Sequence, residues 1–147
     1  MADNPAQRLE NQLCFPLYAA SRLVNRLYQS ELDKYKLTYP QYVVLLILWQ
    51  QDGLAVGEIG QQALLNNNTL TPILKRMAEN DVIERKRDDW DERKVLIYLT
   101  DYGHELRTTL ACLPSQLLAQ VDFGSENAAQ LKSLLHQLIT QLGHELN

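Results

Sequence analysis

The sequence predicts a mainly α-helical protein with one small β-hairpin, arranged as a winged helix-turn-helix between N- and C-terminal helices. A short helical segment near residue 60 precedes a helix with an apolar stripe and a polar, basic outer face. Two β-rich segments follow that helix directly. Apolar residues also recur at helical spacing near both ends of the chain.

Length and composition fit one globular domain. The chain has 147 residues, 46% of them apolar, and no apolar run reaches the length of a membrane span. Residues 1–7 have neither a basic flank nor an apolar core, so we expect no secretory signal, no membrane partner and a cytoplasmic location. The two cysteines are too far apart to suggest a secreted disulfide framework.

The first helix is predicted over residues 13–32, because the apolar residues there recur at close to helical period. Pro16 fits a first helical turn, so this helix should begin within a residue or two of Cys14. A second helix is predicted to begin at Thr38-Tyr39-Pro40, where a cap precedes a proline, and to end near residues 52–53.

The next long helix is predicted after the asparagine run at residues 66–68, whose side chains can cap it. Its apolar stripe consists of Leu70, Ile73, Leu74 and Met77. Its other face is polar and basic, and the candidate DNA contacts there are Asn67, Asn68, Thr69, Thr71, Pro72, Lys75 and Arg76. The alternative is a solvated helix face, which is the usual role of such residues.

A β-hairpin is predicted over residues 82–100, with the turn-like residues 88–93 between its strands. Such a hairpin directly after the helix-turn-helix is a wing. Arg93 is expected to enter the DNA minor groove, with Asp91 orienting its guanidinium. Arg87 is a candidate phosphate contact, and the alternative is that it only solvates a strand.

The C-terminal region is predicted to form helices after Thr100 and from Ser125 or Asn127, with a break at Pro114. Both ends of the chain carry wide apolar stripes that must be buried on each other or on a second subunit. We therefore expect a symmetric homodimer. Residues 1–36 and 101–147 would form its dimerisation helices, and residues 37–100 its DNA-binding lobe.

The charge distribution also favours a dimer. The net charge is −4, and although seven of the 14 basic residues lie between Lys75 and Lys94, seven acidic residues share that window. DNA binding must therefore depend on where individual side chains are placed, with two recognition helices about 34 Å apart on the two half-sites of an operator.

His104, His136 and His144 form no ligand set with either cysteine, and no nucleotide fingerprint is present, so we expect no metal and no cofactor.

Cys14 lies where the first helix is predicted to begin. A helix start carries partial positive charge and unpaired N–H groups, which stabilise a thiolate, the reactive form of cysteine. Such a thiol is a candidate sensor or catalyst. The alternative is a small residue buried in a subunit interface. We expect a buried pocket beside this thiol, lined by Phe15, Leu17 and Tyr18.

Four segments carry a family resemblance over about residues 9–142: Leu13-Cys14-Phe15-Pro16-Leu17-Tyr18, Leu37-Thr38-Tyr39-Pro40-Gln41-Tyr42, residues 68–77 and Asp91-Glu92-Arg93. They resemble the MarR family, and in particular its organic-hydroperoxide-sensing OhrR branch. The resemblance implies a dimeric repressor that leaves its palindromic double-stranded operator when an organic hydroperoxide oxidises the N-terminal cysteine, here Cys14.

The resemblance also implies roles for three further residues. Tyrosine hydroxyls contributed across the dimer hold the thiolate in this family, and Tyr28 and Tyr39 occupy the matching positions. In the two-cysteine subclass a cysteine of the partner's later helix traps the oxidised thiol as a disulfide, which makes Cys112 the candidate resolving residue. Packing on an apolar helix face also explains Cys112.

Two other functions stay open. One is a MarR-type repressor gated by a small aromatic or phenolic ligand, in which Cys14 is incidental. The other is a thiol peroxidase that uses Cys14 and Cys112, under which the helix-turn-helix and wing would have no role. We therefore expect a regulator and not an enzyme.

Overall fold

The computed structural model describes residues 4–146. Residues 1–3, which begin the stretch considered as a signal sequence, and Asn147 lie outside the described residues. By its contacts the chain divides into two compact units, with the boundary between Ala111 and Cys112. The sequence suggested one domain. The helical backbone is interrupted at residues 110–112, ahead of Pro114, which cannot extend a helix from the preceding turn.

The first unit contains the helices α1 (Cys14–Leu32), α2 (Tyr39–Leu48), α3 (Val56–Ala63), α4 (Asn67–Glu79) and α5 (Asp101–Thr109). It also contains the strands β1 (Leu54–Ala55), β2 (Ile83–Arg87) and β3 (Val95–Leu99). The second unit contains α6 (Leu113–Ala119) and α7 (Ser125–Leu146). No helix within residues 4–146 is both long and apolar enough to cross a membrane.

The predicted helix starts are confirmed by their caps. The backbone N–H of Thr38 donates to Gln41 Oε1 at 3.0 Å, one half of a capping box ahead of α2. Asn66 Oδ1 accepts from the Thr69 N–H at 2.9 Å and begins α4. Thr100 Oγ1 accepts from an N–H in the first turn of α5 at 3.0 Å.

The predicted hairpin is confirmed and belongs to a three-stranded antiparallel sheet of order β1–β3–β2. Ile83 faces Leu99 and Arg87 faces Val95 across β2 and β3. The edge strand β1 was not predicted, because two residues are too few to show a period-2 pattern. It pairs with β3 through Leu54, opposite Ile97.

The core of the first unit lies between α2, α3, α4 and the sheet. Its most buried side chains include Val44, Leu45, Leu48, Ile59, Leu70, Leu74, Met77, Val82 and Ile97. By contrast, α1 buries only Leu32. The apolar stripes on α1 and α7 stay exposed in the single chain, with Leu13 at 82% and Leu134 at 62% of full exposure.

Candidate functional site

The outer face of α4 is presented as the sequence predicted. Leu70, Leu74 and Met77 anchor the helix in the core. The seven candidate DNA contacts on its other face are all exposed: Asn67, Asn68, Thr69, Thr71, Pro72, Lys75 and Arg76. The Thr71 hydroxyl donates to the Asn67 carbonyl at 2.7 Å. The face is therefore polar, accessible and held by a well-anchored helix.

The wing turn, residues 88–94, is closed by backbone hydrogen bonds. The Asp88 N–H donates to the Lys94 carbonyl at 3.0 Å, and the Lys94 N–H donates to the Asp91 carbonyl at 2.9 Å. Asp91 Oδ1 accepts from the backbone N–H of Arg93 at 3.1 Å. Within the described residues Asp91 thus shapes the turn that presents Arg93 and makes no ion pair with its guanidinium, and its role toward that guanidinium on DNA stays a prediction.

The basic residues of strand β2 differ in their contacts. Lys86 Nζ pairs with Glu84 at 3.1 Å and lies 5.3 Å from the centre of the Tyr98 ring, so it is engaged on the sheet. Arg87, at the end of the strand nearest the turn, is exposed. Arg87 is therefore the better placed of the two for a phosphate contact.

Cys14 is the first residue of α1, and its thiol is free and exposed. Leu13 precedes it with helical backbone angles and makes no side-chain cap, so no side chain accepts from the first-turn amides. The sequence predicted a buried pocket here. In the single chain its expected walls are open, since Phe15, Leu17 and Tyr18 are 39%, 41% and 57% exposed.

Tyr28 and Tyr39 belong to one aromatic cluster, which also includes Tyr42. Their ring centres lie 5.0 Å apart for Tyr28 and Tyr39, 5.7 Å for Tyr28 and Tyr42, and 6.2 Å for Tyr39 and Tyr42. Within residues 4–146 the three hydroxyls make no hydrogen bond, and none is sealed from solvent. They are free to serve a group from outside this chain.

The phenols of Tyr28 and Tyr42 in this cluster can donate hydrogen bonds at neutral pH. Burial, and then the nearby Tyr39, raise the pKa of Tyr28 above its ordinary value. Burial, followed by Tyr28 and Tyr39, likewise raises the pKa of Tyr42. Both groups therefore stay protonated well above physiological pH, and a protonated phenol can donate to a thiolate.

The chain does not bring its own Cys14 and Tyr28 together. They are fourteen residues apart on the same helix α1, which corresponds to about 21 Å along the helix axis. Within one chain these hydroxyls are therefore out of reach of the Cys14 sulfur.

Cys112 lies at the N-cap position of α6 without making a side-chain cap, and its thiol is also free and exposed. Its carbonyl accepts from the Ser115 hydroxyl at 2.9 Å and from the Gln116 N–H at 3.0 Å. Its backbone is fixed while its thiol remains accessible.

Sequence reasoning missed the groups that tie α2 to the sheet and to α5. Trp49 Nε1 donates to the Gly103 carbonyl at 2.9 Å. Asp52 Oδ1 accepts from the backbone N–H groups of Gly53 and Leu99, both at 2.9 Å. In the sequence, the helical spacing of Tyr42 and Trp49, whose rings lie 6.1 Å apart, could have indicated that Trp49 packs on the same side of α2 as Tyr42.

The described part of the chain contains no cluster of three metal-ligating side chains.

Comparison with known proteins decides the family. A family model described as transcriptional regulator SarA/Rot matches residues 26–110. The organic hydroperoxide resistance transcriptional regulator of Bacillus subtilis (strain 168) is 46% identical over 140 residues, which is 95% of each chain. The chain belongs to the MarR family of transcriptional regulators.

Two solved structures of another regulator, AbfR of Staphylococcus epidermidis, resemble this MarR-family chain. Reduced AbfR bound to DNA has a TM-score of 0.83 at 33% identity, over 95% of this chain and 96% of that one. Disulfide-formed AbfR has a TM-score of 0.64 at 33% identity, over 95% and 92%.

Proposed function

We propose that this regulator is a homodimeric repressor that binds palindromic operator DNA and leaves it when an organic hydroperoxide oxidises Cys14. It would act without a metal or cofactor and would not be an enzyme. The exposed thiol of Cys14, at the uncapped start of α1, carries the proposal. The 46% identity to an organic hydroperoxide resistance regulator supports this role for the thiol.

The exposed face of α4 and the wing support DNA binding. A helix fits the major groove, and Arg93 would enter the adjacent minor groove while Lys75 and Arg76 reach phosphates or base edges. AbfR, which shares this fold, has been solved on DNA. Because the net charge here is −4, one lobe alone would bind weakly. Tight binding would require both lobes of a dimer on two half-sites.

The exposed stripes of the terminal helices support a homodimer. Leu13, directly before α1, is 82% exposed, and Leu23 and Val24 on α1 are 61% and 46% exposed. On α7, Leu134 and Leu142 are 62% and 48% exposed. Two stripes of this extent are unusual on a monomer, and a second copy of the chain would cover both.

The dimer would also complete the thiol site. The hydroxyls of Tyr28 and Tyr39 make no hydrogen bond within the described chain, and Cys14 lies about 21 Å along the helix axis from its own Tyr28. In a symmetric dimer the hydroxyls of one subunit would donate to the thiolate of the other. The partner subunit would at the same time cover Phe15, Leu17 and Tyr18, and these residues would form an apolar pocket for the alkyl group of a peroxide.

The sensing reaction begins with the Cys14 thiolate. Its sulfur attacks the terminal oxygen of the hydroperoxide, an S–O bond forms and the O–O bond breaks. The peroxide is reduced and leaves as an alcohol after taking up a proton, and the sulfur becomes sulfenic acid. The thiol of the partner's Cys112 then attacks this sulfur, which forms an S–S bond and releases water. A disulfide form of AbfR is a precedent for such a state in a related chain.

The disulfide would change the spacing or tilt of the two α4 helices. A small displacement is enough, because both half-sites must be engaged together for tight binding. Oxidation at the dimerisation helices would in this way control DNA binding at the lobes.

The test is a gel shift of the reduced protein on a palindromic operator, with and without an alkyl hydroperoxide, followed by non-reducing electrophoresis. We expect release on oxidation and a covalent dimer that a thiol reductant dissolves. A Cys112→Ser variant should give no covalent dimer. Retention of the operator complex after complete thiol oxidation would overturn the proposal.

A further inference from the structure

Trp90, at the tip of the wing turn, is 96% exposed. Tryptophan side chains are on average largely buried, because their apolar area is large. Within residues 4–146 no aromatic ring or cation packs on this indole, and the only hydrogen bond of Trp90 involves its backbone. The fold therefore gains nothing from this side chain.

The turn that carries Trp90 contains four hydrogen bonds. The Trp90 N–H donates to Asp88 Oδ1 at 3.1 Å, and the Arg93 N–H donates to Asp91 Oδ1 at 3.1 Å. The cross-turn bonds between Asp88 and Lys94 and between Lys94 and Asp91 close the loop. The indole thus projects from a hydrogen-bonded turn, three residues before Arg93, which we place in the minor groove.

The charges of the wing indicate what the indole is for. Residues 85–94 contain five basic side chains (Arg85, Lys86, Arg87, Arg93 and Lys94) and four acidic ones (Asp88, Asp89, Asp91 and Glu92). The net charge of +1 attracts a phosphate backbone only weakly. A wing of this composition requires contact energy that does not come from charge, and an exposed indole can supply it.

We propose that Trp90 is a DNA contact of the wing. Its ring would lie on the deoxyribose wall of the minor groove beside Arg93, and its Nε1–H would donate to a phosphate oxygen. This assignment rests on the DNA-binding function proposed above. The indole would strengthen binding to the operator without adding to the number of phosphate charges neutralised.

Salt dependence of binding separates this role from an ionic one. We would measure operator binding by fluorescence anisotropy from about 50 to about 200 mM salt for the wild-type, Trp90→Ala, Trp90→Phe and Arg93→Ala proteins. Trp90→Ala should bind about tenfold or more weakly with an unchanged salt slope, and Trp90→Phe should fall between. Arg93→Ala should weaken binding and reduce the slope by about 1.

Intrinsic fluorescence gives a second readout, because Trp49 and Trp90 are the only tryptophans of the chain. The difference between the wild-type and Trp90→Phe emission spectra, which reports on Trp90, should shift to the blue or be quenched on operator binding. Affinity within twofold of wild type for Trp90→Ala, or an altered oligomeric state of that variant, would overturn the assignment. Failure of the wild type itself to bind a palindromic operator would instead overturn the proposed function.

Discussion

Gly60 sets the approach of α3 to the turn before α4, and its substitution gives a sharp test of this packing. A Cβ at position 60 would lie 2.7 Å from the Leu65 carbonyl oxygen and 3.5 Å from Leu70 Cδ2. The Leu65 N–H donates to the Gly60 carbonyl at 2.9 Å, so the same backbone that must move is bonded to residue 60. Gly57, in the same helix, has nothing within 4 Å of such a Cβ.

The expected magnitudes follow from these contacts. An ordinary contact with a Cβ begins near 3.4 Å, so Gly60→Ala must displace the Leu65 backbone by several tenths of an ångström. Overpacking of this kind costs about 1–3 kcal/mol, and a weakened hydrogen bond costs up to about 1 kcal/mol more. Replacing a glycine inside a helix with alanine raises the unfolding free energy by at most about 1 kcal/mol through helix propensity. We expect a net loss of about 1–3 kcal/mol for Gly60→Ala, and for Gly57→Ala a gain of at most about 1 kcal/mol.

Urea unfolding followed by circular dichroism, at one protein concentration, measures both variants. Gly60→Ala should unfold at lower urea than wild type with a similar slope, and its operator affinity should fall because α4 is displaced. Gly57→Ala should unfold at the wild-type concentration or above. Equal urea midpoints for the two variants would show that the Leu65 carbonyl does not crowd a Cβ at position 60.

Three further predictions concern other contacts. Asp52→Ala should lower the unfolding free energy by about 1–3 kcal/mol, because two backbone N–H groups lose their acceptor. Asp52→Asn keeps an acceptor oxygen and should recover part of that loss. Equal losses for the two variants in urea unfolding would contradict this role of Asp52. Because burial raises the pKa of Tyr28 and Tyr42, the folded state holds these protons more tightly than the unfolded chain does. The contribution of these two phenols to stability should therefore be constant below about pH 10 and fall above it, and Tyr28→Phe should flatten that fall in thermal melts. Tyr28→Phe should also slow alkyl hydroperoxide oxidation of Cys14 in stopped-flow assays, and an unchanged rate would remove this phenol from the thiol site.

Much of the fold could be read from local signals in the sequence. The asparagine at position 66 and the threonines at 38 and 100 mark helix starts because their side chains or backbone complete a cap, and the structure places all three there. The stripe through Leu70 and Met77 identified the buried face of α4 by its period.

The rest depends on contacts that local patterns do not encode. Strand β1 forms by pairing with the edge of β3. The hydrogen bond from the Leu99 N–H to the Asp52 carboxylate joins residues 47 positions apart. Asp91 was expected to orient the Arg93 guanidinium on DNA, and in the single chain it bonds to the Arg93 backbone, because a carboxylate near an arginine can bond to either group and the turn geometry favours the backbone. Periodicity also identified the stripe on α1 without revealing that the single chain leaves it uncovered.

Peroxide-triggered release from the operator, compared between the wild-type and Cys14→Ser proteins, tests the central claim most directly. Fluorescence anisotropy of a labelled operator would follow release after addition of cumene hydroperoxide. We predict that the wild type dissociates and rebinds after thiol reduction, and that Cys14→Ser binds normally but stays bound in peroxide. Dissociation of Cys14→Ser at the wild-type peroxide concentration would contradict the account, because the signal would then act elsewhere than on this thiol.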